Sequence, residues 1–283
     1  IPVELERICL KCLSKRMTDR YTTAADLADN LRLWESATQP REQRPAKVIP
    51  KGLRSFDAED ADFFLELLPG PRDRDGLPDS IRFWKNRVEK TDPDSTFSVG
   101  LIYGPSGCGK SSLVKAGLLP RLDSHVIPVY VEATAADTEV RVLKGLRKRL
   151  PGISPDGSLP DVFDALRDGR GTPAGKKVLV ALDQFEQWLN AKRSEHETQL
   201  VQALRHCDGR HVQCVVMVRD DFWMAATRFM VDLDIPLLQG NNSCPVDLFD
   251  PIHARKVLAV FGQAHGRLPD NLGQCTNDQD AFL

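Results

Sequence analysis

The sequence has little that would mark a membrane-spanning, secreted or nucleic-acid-binding protein. Its longest apolar runs, residues 178–182 and 214–218, are strand-sized and far too short to cross a bilayer. The 38 Lys and Arg residues are matched by 40 Asp and Glu residues, and a net charge of -2 gives no basic field for nucleic acid or anionic lipid. The N-terminus carries no secretory signal pattern. We therefore expect a globular cytoplasmic protein with no membrane segment and no nucleic-acid partner.

The seven cysteines are scattered along the chain and do not have the spacing of a disulfide framework. An odd, irregular set fits a reducing compartment in which thiols stay free. Cys9 and Cys12 lie in a helical pattern without a second ligand pair, which favours packing over zinc. A metal site is also disfavoured for a group that spans a helix end and a predicted buried strand, namely His206, Cys207, His211 and Cys214.

One glycine-rich loop carries the strongest chemical signal. Residues 104–111 fit the pattern G-x-x-x-x-G-K-[ST], between an apolar stretch of strand length at 97–103 and a predicted helix at 111–119. Amides at a helix N-terminus bind phosphate oxygens, and this context disfavours the alternative of an ordinary glycine-rich turn. The residues predicted to contact the nucleotide are Gly104, Pro105, Ser106, Gly107, Cys108, Gly109, Lys110, Ser111 and Ser112.

The residue types in this loop suit the predicted ligand. Gly107 and Gly109 have no Cβ to block the phosphates, and Lys110 would reach the β- and γ-phosphates as a point charge. The Ser111 hydroxyl is a predicted Mg²⁺ ligand. Cys108 lies beside a lysine and a helix N-terminus, which lower a thiol pKa, so it is either redox-sensitive or a small residue in a tight turn.

A second signal is the apolar run at 178–182 that ends in Asp183. A run without alternation fits a parallel strand buried on both faces, and an aspartate at its carboxyl end lies where open α/β sheets bind ligands. Asp183 is therefore a predicted Mg²⁺ ligand. Glu186, three residues later, is either a catalytic base that polarises the attacking water or part of a capping box with Asp183.

Arg219 follows another predicted buried strand, at 212–218. An arginine at that position can bind a γ-phosphate and lose the contact on hydrolysis, which a nucleotide-sensing switch requires. The alternative is an ion pair with Asp220 or Asp221.

Four stretches together resemble the STAND class of P-loop signalling ATPases, and in detail its bacterial subfamily found fused to kinases. They are residues 52–64, 104–112, 180–186 and 217–222. The resemblance implies an α/β P-loop fold with a mostly parallel sheet flanked by helices. It also implies ATP and Mg²⁺ as cofactors and a signal-transduction switch that changes state on nucleotide exchange.

One position departs from that class, because relatives commonly carry an acidic residue directly after the aspartate, where this chain has Gln184. The group that activates water is thus left open, and slow hydrolysis is expected. Two other functions stay open: a scaffold that binds nucleotide without hydrolysis, and a DNA-associated ATPase of the initiator-loader kind. In the second, the basic helix near residues 140–150 would bind phosphates.

The first residues resemble the last helices of bacterial Ser/Thr protein kinases, through residues 2–15 and 19–27, with Arg20 matching a late structural arginine of that family. The glycine-rich loop, H-R-D and D-F-G motifs of a kinase are absent here. We expect kinase C-terminal helices at 1–35, a linker at 36–50, and a truncated ATPase domain at 51–283. Protein partners would act through flanking domains outside this fragment, and nucleotide-dependent self-association is left open.

Hydrophobic periodicity predicts the remaining elements. Asp57 and Asp60 are expected to cap a helix that runs to Leu68, and Pro128 is expected to lie in an edge strand or a bulged strand. The other predictions are helices at 80–90, 194–206 and 251–261, a helix that buries Val140, Leu143, Leu146 and Leu150, and a last strand at 245–249.

Overall fold

The computed structural model describes residues 8–10, 12–13, 27–28, 31, 55–92, 94–192 and 197–283. By its internal contacts the chain divides into two compact units, Ile1–Lys47 and Val48–Leu283. In the first unit, residues 8–10 are helical and the Leu13 amide donates to the Cys9 carbonyl at 3.1 Å. Most of the kinase-like stretch, including Arg20, the predicted linker at 36–50 and residues 51–54 lie outside the described residues.

Five parallel strands form one sheet in the second unit. They are β1 (Val99–Gly104), β2 (Val126–Glu132), β3 (Lys177–Asp183), β4 (Val212–Arg219) and β5 (Ser243–Pro245). Their order is β2-β3-β4-β1-β5, and every neighbouring pair is parallel. The α/β fold with a mostly parallel sheet is confirmed, as is the position of Pro128 in an edge strand. In this order β4 lies between β1 and β3. At the carboxyl ends of the strands, Arg219 at the end of β4 therefore lies between Asp183, which ends β3, and the predicted phosphate loop at 104–111, which follows β1.

Helices cover both faces of this sheet. The structure describes α1 (Ala61–Leu67), α2 (Asp79–Glu89), α3 (Lys110–Ser112), α4 (Thr138–Arg149), α5 (Leu159–Arg167), α6 (Glu186–Ala191), α7 (Gln199–Leu204), α8 (Trp223–Asp232), α9 (Pro251–Ala264) and α10 (Asn277–Phe282). A short 3₁₀ turn, Ala58–Asp60, precedes α1, and Asp57 and Asp60 form the predicted capping box at its start.

Alternate residues of the strands supply the two halves of the core, because successive side chains point to opposite faces. On one face Val180 and Leu182 pack in a cluster with residues of α4 to α8. On the other, Leu179 and Ala181 pack in a cluster with Trp84 of α2 and with Val114, which follows α3. Every residue of β3 is buried, which explains the continuous apolar run that ends at Asp183.

Three sequence-based predictions are wrong in detail. The helix expected at 111–119 is α-helical only over Lys110–Ser112, and Leu113–Leu118 continue it as a π-helix. Val140 is 66% exposed, and Val142 takes its place with Leu146 in the core. The last strand is Ser243–Pro245 and not 245–249. Its bounds are set by pairing with β1, and so short a segment has too little periodicity to predict them.

A buried lysine begins β3 at the sheet end opposite Asp183. Lys177 is only 1% exposed, and its Nζ donates to the carbonyls of Lys90 at 2.8 Å and Gly209 at 2.6 Å. Burial lowers the pKa of Lys177 to about 8, against a smaller opposing effect of Asp208. The folded chain therefore carries this charge at neutral pH at a cost in stability.

We expect Lys177 to make the free energy of unfolding increase as the pH rises from 8 to 10. In that range the unfolded chain binds a proton that the folded chain has released, so stability rises by up to about 1.4 kcal/mol per pH unit. The raised thiol pKa values of Cys207 and Cys214 act in the opposite sense. Urea unfolding of wild type and Lys177→Met across this range isolates the lysine, and parallel pH profiles would contradict the assignment.

Candidate functional site

The predicted phosphate loop joins the end of β1 to the start of α3. Gly107 (φ +80°) and Gly109 (φ +92°) have left-handed backbones, which a residue with a Cβ rarely adopts. Among the residues that the structure describes, and apart from the adjacent residues of the chain, no atom lies within 4 Å of the position that a Cβ would take on either glycine. The backbone conformation therefore requires these two glycines, and the space beside the loop is open to a ligand.

Gly104, the first residue of the loop, is required for a different reason. A Cβ on it would lie 2.0 Å from the Val246 carbonyl oxygen. The Val246 amide in turn donates to the Tyr103 carbonyl at 2.8 Å. The chain that leaves β5 thus passes directly against the beginning of the phosphate loop and fixes its position.

The Lys110 side chain lies across its own loop. Its Nζ donates to the carbonyls of Gly104 and Pro105, both at 2.8 Å, and lies 3.6 Å from Cys108 Sγ. These contacts hold the ammonium group beside the loop amides, where it is available to an anion bound there. The redox sensitivity of Cys108 stays a prediction.

The two serines of α3 face different partners. Ser111 lies beside the phenol of Tyr130 in β2 and acts to lower the pKa of that phenol, against the larger raising effects of burial and Asp183. Ser112 is 8% exposed, and its Oγ accepts from the Phe56 amide at 3.1 Å. The Ser112 hydroxyl, predicted to belong to the nucleotide site, is therefore engaged by the segment that precedes α1.

Asp183 ends β3 as a buried carboxylate, 3% exposed. Its Oδ1 accepts from the Gln184 amide at 2.8 Å, and its Oδ2 accepts from the Tyr130 hydroxyl. One phenol thus lies beside both predicted metal ligands, Ser111 and Asp183. Hydroxyl and carboxylate oxygens are ligands that Mg²⁺ takes in proteins, so the donor set fits that ion.

The segment after Asp183 has an unusual backbone. Gln184 has φ +52°, a left-handed conformation that is uncommon for a residue with a side chain and occurs at functional sites. The Phe185 amide donates to the Met217 carbonyl at 3.0 Å, which ties this segment to β4. Phe185 is also the N-cap of α6, so the alternative of a capping box between Asp183 and Glu186 is wrong.

Arg219 forms the ion pair that the sequence left as its alternative. Its Nε donates to Asp221 Oδ1 at 3.0 Å, and its Nη2 donates to Asp221 Oδ2. This pair, with a smaller effect of Glu186, raises the pKa of Arg219. The guanidinium remains 44% exposed at the carboxyl edge, and its role as a sensor stays a prediction.

Tyr130 is the site residue that sequence reasoning missed. It lies within the apolar stretch of β2, where a tyrosine looks like an ordinary core residue. Only the register, which pairs Tyr130 with Ala181 and Glu132 with Asp183, brings its hydroxyl to the aspartate. No signal within β2 itself indicates that contact.

Other candidate metal ligands have different neighbours. His211 Nδ1 lies 3.0 Å from Asp208 and His206 Nδ1 lies 3.4 Å from Asp164, whereas Cys207 and Cys214 are buried. Within the described ranges there is no group of three or more His, Cys, Asp or Glu side chains that could hold a metal ion. Over the same ranges, no helix is long and apolar enough to cross a membrane.

A comparison with protein families supports the same class. Residues 51–246 match the family described as Novel STAND NTPase 1 (nSTAND1). The chain belongs to this family. The match covers β1 to β5 and includes Gly104–Ser112, Asp183, Glu186 and Arg219, and it confirms the STAND-type P-loop ATPase predicted from the sequence. A comparison with curated proteins found no match.

Solved structures share parts of the nSTAND1 fold. The chain is similar to the Aeropyrum pernix ORC2 protein in ADPNP–ADP complexes, with 19% identity over 65% of this chain and 50% of that one, at a TM-score of 0.47. It is also similar to a Walker-type ATPase of Pyrococcus abyssi, with 17% identity over 74% of this chain and 64% of that one, at a TM-score of 0.48. The chain spans between half and two-thirds of their lengths, and likeness at this level carries no argument about ligands or partners.

Proposed function

We propose that this nSTAND1 chain is an ATP-binding, Mg²⁺-dependent switch of a signal-transduction protein. The observation that carries the proposal is the Tyr130 phenol, which donates to Asp183 of β3 and lies beside Ser111 of the phosphate loop. A loop serine and an aspartate at the end of a buried strand are the pair that holds Mg²⁺ in P-loop enzymes. Their convergence on one hydroxyl supports a metal site directly beside the phosphate loop.

The other site residues have roles that suit ATP. The amides of residues 105–109 and the Lys110 ammonium would bind the β- and γ-phosphates, as the open space beside the loop allows. Ser111 and Asp183 would hold Mg²⁺, which when bound neutralises charge on the phosphates. Arg219 would exchange Asp221 for the γ-phosphate and return to Asp221 after hydrolysis, an exchange that its exposure permits.

The wider architecture belongs to the same proposal. Residues 1–35 would be the C-terminal helices of a Ser/Thr protein kinase domain, residues 36–50 a linker and residues 51–283 the ATPase domain. The parent protein would be a cytoplasmic kinase and ATPase fusion, with protein partners bound through its other domains. Sequencing the gene on both sides tests this part, since an unrelated upstream domain would remove the kinase assignment.

Hydrolysis is the part of the proposal that a single variant tests. Gln184 cannot act as a base, and its side-chain oxygen accepts from Gln187 Nε2 at 2.8 Å. Glu186 is the nearest following carboxylate in sequence, and we expect Glu186→Gln to lower the single-turnover rate of ATP hydrolysis by about 10²-fold because the amide cannot accept the proton of water. ATP affinity should be unchanged.

The matched control is Glu66→Gln, which changes an exposed glutamate on α1. Single-turnover assays with protein in excess over labelled ATP measure the chemical step directly. Equal rates in wild type and Glu186→Gln would remove Glu186 from the mechanism. Binding without turnover in the wild type would instead support the alternative function, a nucleotide-dependent scaffold.

A further inference from the structure

Tyr130 occupies a position that a simple core residue does not need. Its hydroxyl donates to Asp183 Oδ2, and Ser111 lies beside the same phenol. The side chain is half-buried, so that solvent does not replace this bond freely. Two predicted metal ligands from distant parts of the chain thus lie beside one phenol.

The fold holds this phenol from several directions. Tyr130 is paired with Ala181 in the sheet, and it packs against the cluster that contains Ala181 and Val114, on the face where the segment after α3 packs. Lys115 Nζ lies 4.6 Å from the ring centroid, a cation–π contact. The same Nζ donates to Glu132 Oε1 at 3.0 Å and to Ser55 Oγ at 3.2 Å. The ring therefore has a fixed position relative to the loop helix.

The direction of the hydrogen bond follows from its chemistry. A phenol carries its proton at neutral pH and a carboxylate oxygen accepts, so the Tyr130 hydroxyl donates to Asp183. The hydrogen bond therefore runs from β2 to the end of β3.

This direction matters for a metal ion. The phenol donates to Asp183 Oδ2 and the Gln184 amide donates to Oδ1, so the carboxylate is held in one orientation. A second lone pair on each oxygen, and those of the neighbouring Ser111 Oγ, can still face a cation. Partners that orient metal ligands in this way tune metal affinity in many sites.

We infer that Tyr130 is a positioning residue of the nucleotide-dependent Mg²⁺ site and sets the affinity of that site for divalent cations. The inference rests on the proposed function, because it requires Ser111 and Asp183 to be the metal ligands. Tyr130 itself touches neither nucleotide nor metal in this role. Its effect passes through the orientation of the Asp183 carboxylate beside Ser111.

The decisive variant is Tyr130→Phe, which keeps the ring and removes the hydroxyl. With ADP present, electron paramagnetic resonance measures the affinity for Mn²⁺ as the probe ion, and we expect it to fall by about 10- to 100-fold. Calorimetry of ADP binding in EDTA should give the wild-type affinity, because Lys110 and the loop amides are unaltered. A purely structural role would instead weaken both measurements together.

Tyr103→Phe is the matched control. Tyr103 lies on β1 and contacts Trp223, with ring centroids 4.6 Å apart, on the other face of the sheet. This variant should retain wild-type Mn²⁺ affinity. Unchanged Mn²⁺ affinity in Tyr130→Phe would overturn the inference, and so would tighter binding, which would show that the phenol competes with the ion.

Two further measurements separate the ways in which the experiment can fail. If wild type binds ADP neither with Mn²⁺ nor in EDTA, the proposed function fails and not only the role of Tyr130. If Tyr130→Phe does not fold, ¹³C NMR of ring-labelled wild type replaces it. The Tyr130 Cζ resonance should then move when Mg²⁺ is added to the ADP complex, and a fixed resonance would contradict the inference.

Discussion

Replacing Lys110 with alanine is expected to weaken the binding of ATP with Mg²⁺ by about 10²- to 10⁴-fold. Each hydrogen bond from an ammonium group to a phosphate contributes roughly 1.5–3 kcal/mol, and the lysine would make one to each of two phosphates. Isothermal titration calorimetry measures the loss. Folding should be little affected, since in the described part of the chain the Lys110 ammonium hydrogen-bonds to the loop's own carbonyls and lies beside the Cys108 thiol.

The matched control is Lys144→Ala, which removes an exposed lysine of α4 and keeps the same change in net charge. It should bind ATP with wild-type affinity, because an exposed charge away from the loop is screened by salt. Equal affinities for wild type and Lys110→Ala would overturn the assignment of the phosphate loop.

Gly104→Ala is expected to lower both stability and nucleotide affinity. The new Cβ would lie 2.0 Å from the Val246 carbonyl oxygen, and that atom belongs to backbone rather than to a flexible side chain. Forcing the two segments apart should cost about 1–3 kcal/mol or more of unfolding free energy. The shift also displaces the carbonyl that accepts from Lys110 and the loop that follows it.

Gly157→Ala provides the control for this substitution. Its nearest neighbour would be Val162 Cγ2 at 3.5 Å, an ordinary van der Waals contact. Urea unfolding should therefore place it within about 0.5 kcal/mol of wild type. A similarly small change in Gly104→Ala would contradict the described contact with Val246.

Local patterns predicted the parts of the site that lie in one segment. The glycine and lysine spacing of the phosphate loop is set by backbone conformation within a few residues, and Gly107 and Gly109 have the left-handed φ angles that this spacing requires. The continuous apolar run before Asp183 likewise predicted a strand buried along its whole length. In both cases the physical cause acts over a short stretch of chain.

The sequence patterns did not predict contacts between distant segments. The phenol of Tyr130 reaches Asp183 only because of the register between β2 and β3, and periodicity does not specify a register. Arg219 could bind a phosphate or a neighbouring carboxylate by its type alone, and only the described geometry pairs it with Asp221. The π-helical continuation of α3 also has no pattern in the sequence that distinguishes it from an α-helix.

The contacts of Phe56 determine where an expressed fragment of the NTPase unit can begin. Its amide holds Ser112, and its ring lies 5.9 Å from Phe63, 5.6 Å from Phe64 and 6.0 Å from Phe261 between centroids. A fragment that begins before Ser55 keeps this junction whole. One that begins after Phe56 would expose three aromatic rings and leave a buried serine hydroxyl without its donor, although the phosphate loop itself would still be intact.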